Sequence, residues 1–328
     1  MHTLATVVLT RNEELNLPAC LESVQGLGSS LIVVDSGSTD RTLEIAERYG
    51  AHVLTHPFES HTRQWGWALR QLPSETEWVL GLDADQRLTP ELFQELQQLF
   101  RVGERRINGH DGFYVRRRQI FRGRWIRHGG YYPKYLLKLF RLDKVQLDDR
   151  DLMDHHFYVS GKCGQLQNDL IEDNRNEAAI GFWLSKHIRY AELHAREEIT
   201  RRCKGDRAWV IRPALFGSPD QRVVWCKRLW YRMPLYARPF LYFLYRYFIL
   251  GGILDGKQGF IFHFLQSFWY RLLVDIRLDD LMAESKQVRE SRQRSTEVQD
   301  PSWSTFASGE PSARAASSAY TLRSENLL

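Results

Sequence analysis

This sequence predicts an α/β fold, with a doubly wound, mainly parallel sheet and a helical, membrane-associating carboxyl-terminal extension. Three observations carry the prediction. Short apolar runs alternate with amphipathic stretches through the first hundred residues, as strands alternate with helices in βαβ units. Three of those runs end in polar clusters, which is how the carboxyl edge of a parallel sheet reads when it binds a ligand. From Arg222 onward the composition becomes aromatic and basic, the composition of helices that lie at a membrane interface.

The first run, residues 5–10, is β-branched and apolar and ends in Thr10-Arg11-Asn12-Glu13-Glu14; the helix that follows carries Leu15, Leu17, Leu21 and Val24. Residues 31–34 form a second strand, followed by Asp35-Ser36-Gly37-Ser38-Thr39-Asp40. There Gly37 permits a tight turn, and Ser38, Thr39 or Asp40 can cap a helix over residues 42–49. A short strand over residues 50–54 and a helix over residues 60–72 come next. Residues 78–82 are a buried strand that delivers Asp83-Ala84-Asp85 to the edge, and Pro90 opens the next helix.

In an extended chain residues two apart share a side, so Asp83 and Asp85 could occupy one small volume. Two carboxylates so close repel, and a hard divalent cation, Mg²⁺ or Mn²⁺, would relieve the repulsion. The plainer reading makes Asp83 and Asp85 caps of the helix that starts near Thr89. Three polar strand ends on one edge favour a site over three coincidental turns. No Gly-x-Gly-x-x-Gly follows the first strand and no Gly-Lys-Ser/Thr appears, which counts against dinucleotide and P-loop readings.

The length of 328 residues fits one large α/β domain with an appendage, or two domains, and 43% hydrophobic content supports a full core. A net charge of +5 favours acidic partners. Cys20, Cys163, Cys203 and Cys226 lack metal or redox spacing, and the first residues read as a strand rather than a secretory segment, so a reduced cytosolic compartment is expected.

The stretches "VVLTRNEELNLPACLESV", "LIVVDSGSTDRTLEIAERYGA", "WVLGLDADQRLTPEL" and "HGGYYPKYLLKLFR", in that order, resemble glycosyltransferase family 2, in the branch akin to lipopolysaccharide-core and exopolysaccharide glycosyltransferases. The resemblance runs from residue 4 to about 205. It implies a GT-A fold, a nucleotide-diphosphate sugar donor, a divalent metal (Mg²⁺ or Mn²⁺), inversion at the anomeric centre, and a glycan or lipid-linked acceptor. By motif it places Thr10, Asn12 and Glu13 against the nucleotide, Asp35 at base or ribose, Asp83 at the ribose and Asp85 on the metal. The turn at His128-Gly129-Gly130-Tyr131-Tyr132-Pro133 would border the acceptor.

An inverting transfer needs a base for the acceptor hydroxyl. The run Asp151-Leu152-Met153-Asp154-His155-His156-Phe157 is where to look. Asp154 stands where related sequences carry an acid, and many relatives have Glu at the position of His155, so the base is left between Asp154 and His155. The later acids Glu172, Asp173 and Glu177 read as caps of the following helix.

Residues 101–141 hold twelve Lys or Arg against Glu104 and Asp111, so some of these cations should flank the edge and others meet an anionic acceptor. Residues 180–202 have the period of a helix with one apolar face. Between Arg222 and Leu250 there are six Lys or Arg, ten aromatics and no acid, with Arg246 and His263 interrupting any membrane-spanning length. That composition suits an anionic membrane surface, here the inner face of the cytoplasmic membrane; a subdomain core or dimer contact is the alternative. The expected organisation is a catalytic domain over 1–205, amphipathic helices over 206–285 and a disordered tail over 286–328. Two rival readings are a nucleotidyltransferase, which would need a triphosphate cradle, and a non-catalytic protein holding RNA or lipid; nucleic acid is not expected as a partner.

Overall fold

Alternation of apolar strand and amphipathic helix builds the first half directly. In the computed structural model, which describes residues 2–101, 105–152, 156–205 and 209–298, the order begins β1 (Leu4–Thr10), α1 (Leu17–Ser23), β2 (Ser30–Asp35), α2 (Thr42–Arg48), β3 (His52–Thr55), α3 (His61–Arg70), β4 (Trp78–Asp83). It continues with β5 (Gln86–Leu88), α4 (Pro90–Leu99), α5 (Arg105–Asn108), β6 (Gly112–Phe121), β7 (Arg124–Ile126), β8 (Lys134–Arg141), β9 (Val145–Gln146), β10 (Tyr158–Val159) and β11 (Cys163–Glu172).

The main sheet has the strand order β3-β2-β1-β4-β8-β6-β11-β5, with β7 paired to β6. Strands β3, β2, β1 and β4 are mutually parallel, as right-handed crossovers through α1, α2 and α3 require. Beyond β4 the sheet is mixed: β8 runs antiparallel to both β4 and β6, while β6 and β11 are parallel. Helices cover both faces. Leu17, Leu21, Ile45, Leu92 and Leu96 pack on one face with Leu80 and Leu82; Trp65 and Ala68 pack on the other with Val7, Val79 and Phe157. Gly81 lies under that second layer, where an added Cβ would come within 3.0 Å of the Phe157 ring and 3.2 Å of Trp65. This agrees with the fold class predicted from the sequence.

The carboxyl-terminal third is helical: α6 (Ile180–Lys204), α7 (Pro219–Trp230), α8 (Ala237–Leu244), a π-helical turn at Tyr245–Ile249, α9 (Gly256–His263), a second π-helical turn at Phe264–Trp269, and α10 (Tyr270–Val298). The buried stripe of α6 is Trp183, His187, Ala191, His194 and Ala195, then Glu198 and Arg201; Phe182 and Ile188 are exposed. Residues up to Ala283 form one compact unit and a second begins at Glu284. Disorder is expected after residue 286, yet helix persists to Val298; residues 299–328 lie outside the described residues.

Candidate functional site at the carboxyl edge of the sheet

Because β2, β1 and β4 are adjacent and parallel, their last residues meet. Thr10 is in register with Asp35, and Leu9 with Asp83. Asp83 closes β4, and the chain then turns at Ala84 and Asp85 before β5, so the extended geometry that would align the two carboxylates is absent. Neither caps α4. Thr89 does so itself, accepting from Leu92 N at 3.2 Å, which removes the plainer reading of both acids.

Asp35 is fully buried, and its carboxylate accepts from Thr10 Oγ1 (3.1 Å), Gly37 N and Ser38 N (each 2.8 Å) and Ser38 Oγ. Four donors use the acceptor capacity of one carboxylate. Asp35 therefore organises the loop after β2, which is tied to the loop after β1. Asn12, at φ 55°, accepts from Thr39 N (2.8 Å) and donates its own N–H to Ser38 Oγ (2.8 Å); Glu13 N–H donates to Thr42 Oγ1 (2.8 Å). Left-handed φ is tolerated by Asn better than by most residues. The Glu13 carboxyl is held above its ordinary range by burial, which outweighs the hydrogen bond from Asn16 Nδ2 at 2.6 Å.

Asp83 pairs with Lys138 Nζ at 3.0 Å, and Lys138 is buried in β8. The half-buried Asp85 accepts from Asn174 Nδ2 at 3.1 Å. Its carboxyl is pushed well above the usual range by burial first, then by the charges of Glu172 and Asp83. Lys186 of α6 offsets part of this, and it also pairs with Glu177 at 2.9 Å. The acids after β11 differ from the expectation that they cap a helix. Glu172 accepts from Gln86 Nε2 and Arg117 Nη1 (2.9 Å each), Asp173 pairs with Arg87, and Asn174 caps the 3-10 turn at Arg175–Ala178. They fold back on the Asp85 turn because β11 pairs antiparallel with β5.

Asp154 and His155 lie outside the described residues, but their flanks are anchored. Asp151 binds Arg201 Nη2 at 2.5 Å, and Leu152 N donates to Glu197 Oε2 at 3.3 Å. On the other side His156 Nδ1 lies 3.3 Å from Asp151, and Phe157 is buried against Trp65. Burial alone would raise the Asp151 carboxyl; the hydrogen bond to His156 and nearby cations bring it below its ordinary value.

The sequence did not single out Lys138, Lys186 or Asn174, and it read Glu172 only as a helix cap. A lysine inside the apolar run Leu136-Leu137-Lys138-Leu139-Phe140 was the one available signal; the other three are brought in by β11 and α6 from far along the chain. Part of the basic run before residue 141 is also neutralised from a distance. Asp169 lies between Arg116 (2.9 Å) and Arg118 (2.6 Å), and Arg106 pairs with Glu95 (3.2 Å).

Among the described residues no group of three or more His, Cys, Asp or Glu is arranged to hold a metal by itself. The donor set nevertheless fits a hard cation that takes one or two protein carboxylates and completes its shell from substrate phosphates. Asp85 has one hydrogen-bond donor and an excess of negative charge around it.

A parallel α/β core with acidic loops along its carboxyl edge defines a nucleotide-site class of α/β protein. Within that class the glycosyl transferase family 2 profile matches residues 6–173, and the chain belongs to that family. An uncharacterised glycosyltransferase of Rickettsia typhi is 35% identical over 100 residues, 30% of this chain and 34% of that protein; the chain thus matches about a third of such relatives' length. The lipopolysaccharide core biosynthesis glycosyltransferase LpsC of Rhizobium meliloti is 25% identical over 268 residues, covering 79% of this chain and 85% of LpsC. Among solved structures, glucosyl-3-phosphoglycerate synthase of Mycobacterium tuberculosis, in complex with Mn²⁺, UDP and glucosyl-3-phosphoglycerate, is 26% identical over 36% of this chain and 44% of that one, with a TM-score of 0.30.

Proposed function

We propose that this protein transfers a sugar from a nucleotide-diphosphate sugar to a glycan or lipid-linked acceptor, with inversion, in cell-envelope or extracellular polysaccharide assembly. The observation that carries the reading is the meeting of Thr10, Asp35 and Asp83 on three adjacent parallel strands, with Asp85 in the next turn. The loops holding Thr10, Asn12, Glu13 and Asp35 form the wall against which the nucleotide lies. A contact of Asp35 with base or ribose would replace its bond to Ser38. Asp83, steadied by Lys138, takes the ribose, and Asp85 holds the metal. Bound there, Mg²⁺ or Mn²⁺ would offset charge on the departing diphosphate. The similarity to LpsC along most of both chains supports the envelope pathway. Incubation with a panel of nucleotide sugars should show hydrolysis of donors of one nucleotide, stopped by EDTA. Absence of both binding and turnover across the panel would remove the proposal.

The base is Asp154, with His155 the alternative. Asp154→Asn should lower turnover by about a hundredfold or more with donor binding preserved, since a base acts in the chemical step. A dead His155→Ala beside a nearly normal Asp154→Asn would exchange the roles.

Membrane association belongs to the same reading, but its basis shifts from charge to apolar surface. Of the six cations between Arg222 and Leu250, Arg238 is buried against Glu198 and Asp275, Arg246 donates to Gly129 O (2.6 Å) and stacks on Tyr131, and Lys227 lies 3.6 Å from Glu197. The acids come from α6 and α10, so the local absence of acid in sequence did not leave these cations free. What the segment exposes is apolar: Phe248 and Ile249 at 53% and 75%, Ile253 and Leu254 at 50% and 66%. Among the described residues no helix is long and apolar enough to cross a membrane. This tip lies between α8 and α9, with aromatic neighbours Tyr247, Phe260 and Phe264 in ring contact, and a lipid interface fits it. Its inner side holds the turn expected to border the acceptor: Gly129 N donates to Leu250 O and His128 N to Asp255 Oδ2, each at 2.9 Å. Full-length protein should co-sediment with phosphatidylglycerol vesicles and keep most of that binding in high salt, whereas Ile249→Asp with Leu254→Asp should stay in the supernatant. Equal partitioning of both proteins, or concentration-dependent dimerisation abolished by the pair, would assign the tip to other contacts.

A further inference from the structure

Arginines 116 and 118 alternate with Arg117 along β6, so they face the opposite side of the sheet from it. That side is the one on which Tyr114 and Tyr135, the register partner of Arg116, pack with Phe157. It is also the side of Asp83, because Gly81, two residues before it on β4, faces Phe157. Both guanidiniums converge on Asp169, which is almost fully buried and also accepts from Tyr132 Oη at 3.1 Å. Arg118 makes a hydrogen bond to it at 2.6 Å; Arg116 Nε lies 2.9 Å away without hydrogen-bond geometry.

The balance of charge is uneven. Arg118 also lies over Trp125 at 4.9 Å, and the exposed Arg127 lies over the same ring at 5.2 Å. Trp125 in turn meets Tyr132 edge-on at 5.0 Å. Two guanidiniums thus meet one carboxylate while the third shares the Trp125 ring with Arg118, and Arg116 and Arg118 keep 28% and 35% of their side-chain surface in solvent. Glu172, the other acid at this end of β11, is committed to Arg117 and Gln86 on the other side. A structural clamp for β11 needs one arginine on Asp169. Two, fixed in place with a third beside them, make a preorganised site for an oxyanion, which guanidinium forks bind in bidentate geometry.

We propose that Arg116, Arg118 and Arg127 bind an acidic substituent, a phosphate or carboxylate, on the acceptor glycan. This rests on the transferase reading and names the acceptor's chemical class: the anion is held beside the Tyr132 turn, on the side of the sheet that Asp83 faces. The fork geometry favours the phosphate of a sugar phosphate, with a uronic acid carboxylate second.

Calorimetric titration of the full-length protein tests this with glucose 6-phosphate, glucuronate and neutral glucose as probes. Glucose 6-phosphate should bind measurably better than glucose, and Arg118→Gln should weaken it by about tenfold, the loss of one charge-assisted pair. Asp169 keeps Arg116 and Tyr132 in that variant. Arg127→Glu, at an exposed position, should weaken it similarly without touching the buried pair. Unchanged affinity in both variants, or equal binding of glucose and glucose 6-phosphate, overturns the proposal. A lipid phosphate is the competing source: if Arg118→Gln lost phosphatidylglycerol vesicles and kept glucose 6-phosphate, the glycan assignment would be wrong. Mn²⁺-dependent binding of uridine, guanosine and cytidine diphosphates, measured in parallel, separates the two readings. Nucleotide binding without the anion effect leaves the donor site and removes this one, and the anion effect without nucleotide binding does the reverse.

Discussion

Asp85→Ala should cost at least about a thousandfold in sugar transfer and abolish metal-dependent donor binding, while the protein folds as before. The expectation follows from what surrounds the carboxylate. Asp85 accepts one hydrogen bond, from Asn174 Nδ2, and stands against the charges of Glu172 and Asp83, so the fold gains little from it. A group that is poorly compensated in the free protein and sits at the ligand edge is a candidate cation ligand. Removing it relieves repulsion rather than packing, and the thermal midpoint of Asp85→Asn should match or exceed that of the parent. Asp83→Asn should behave in the opposite sense. It leaves the buried Lys138 without its 3.0 Å ion pair, so stability should fall while turnover at saturating donor suffers less than in Asp85→Ala. Titration of donor into each variant with Mn²⁺ decides the point: unchanged metal-dependent affinity in Asp85→Ala would move the metal elsewhere.

The contrast between these two acids marks what the sequence could and could not reveal. Strands β1, β2 and β4 were legible because burial on both faces makes near-continuous apolar runs, and their polar ends lie beside them in the chain. Asp83 and Asp85 were therefore found together. Their partners were not, since Lys138 arrives on an antiparallel strand, Glu172 on β11 and Lys186 on α6, each more than fifty residues away. The same blindness to distance made the cations of residues 101–141 and 222–250 read as free charge. Asp169, Glu198 and Asp275 neutralise them from segments that local composition does not connect. Periodicity reports which face of an element is buried; it does not report which other element supplies the counter-charge.

Arg238 is where that long-range pairing bears most on stability. Its guanidinium is fully buried and uses all five donors: Nε and Nη2 on Asp275 Oδ1 (2.8 and 2.5 Å), Nη1 and Nη2 on Glu198 (2.8 and 3.1 Å), and Nη1 also on Trp230 O (3.1 Å). It joins α8 to α6 and α10 and closes over the end of α7, with Trp230 stacked 4.7 Å from the guanidinium. Asp275 accepts in addition from Tyr236 N at 2.8 Å, and Glu198 from Arg202 at 2.6 Å. Arg238→Met keeps much of the volume but leaves two buried carboxylates facing each other with half their partners gone. Breaking one side of such a pair costs about 3–5 kcal/mol, enough to unfold much of a marginally stable domain. Equilibrium urea unfolding should show that loss as a lower midpoint. Replacing the whole group, Arg238→Met with Glu198→Gln and Asp275→Asn, should recover a large part, because the penalty comes from orphaned charge rather than from lost packing. A triple variant no more stable than the single one would mean that the guanidinium stabilises through its stacking and its bond to Trp230 O. Since α6 also carries Lys186 toward Asp85 and Arg201 toward the Asp151 segment, the single variant should lose donor binding along with stability, and the triple variant should regain both.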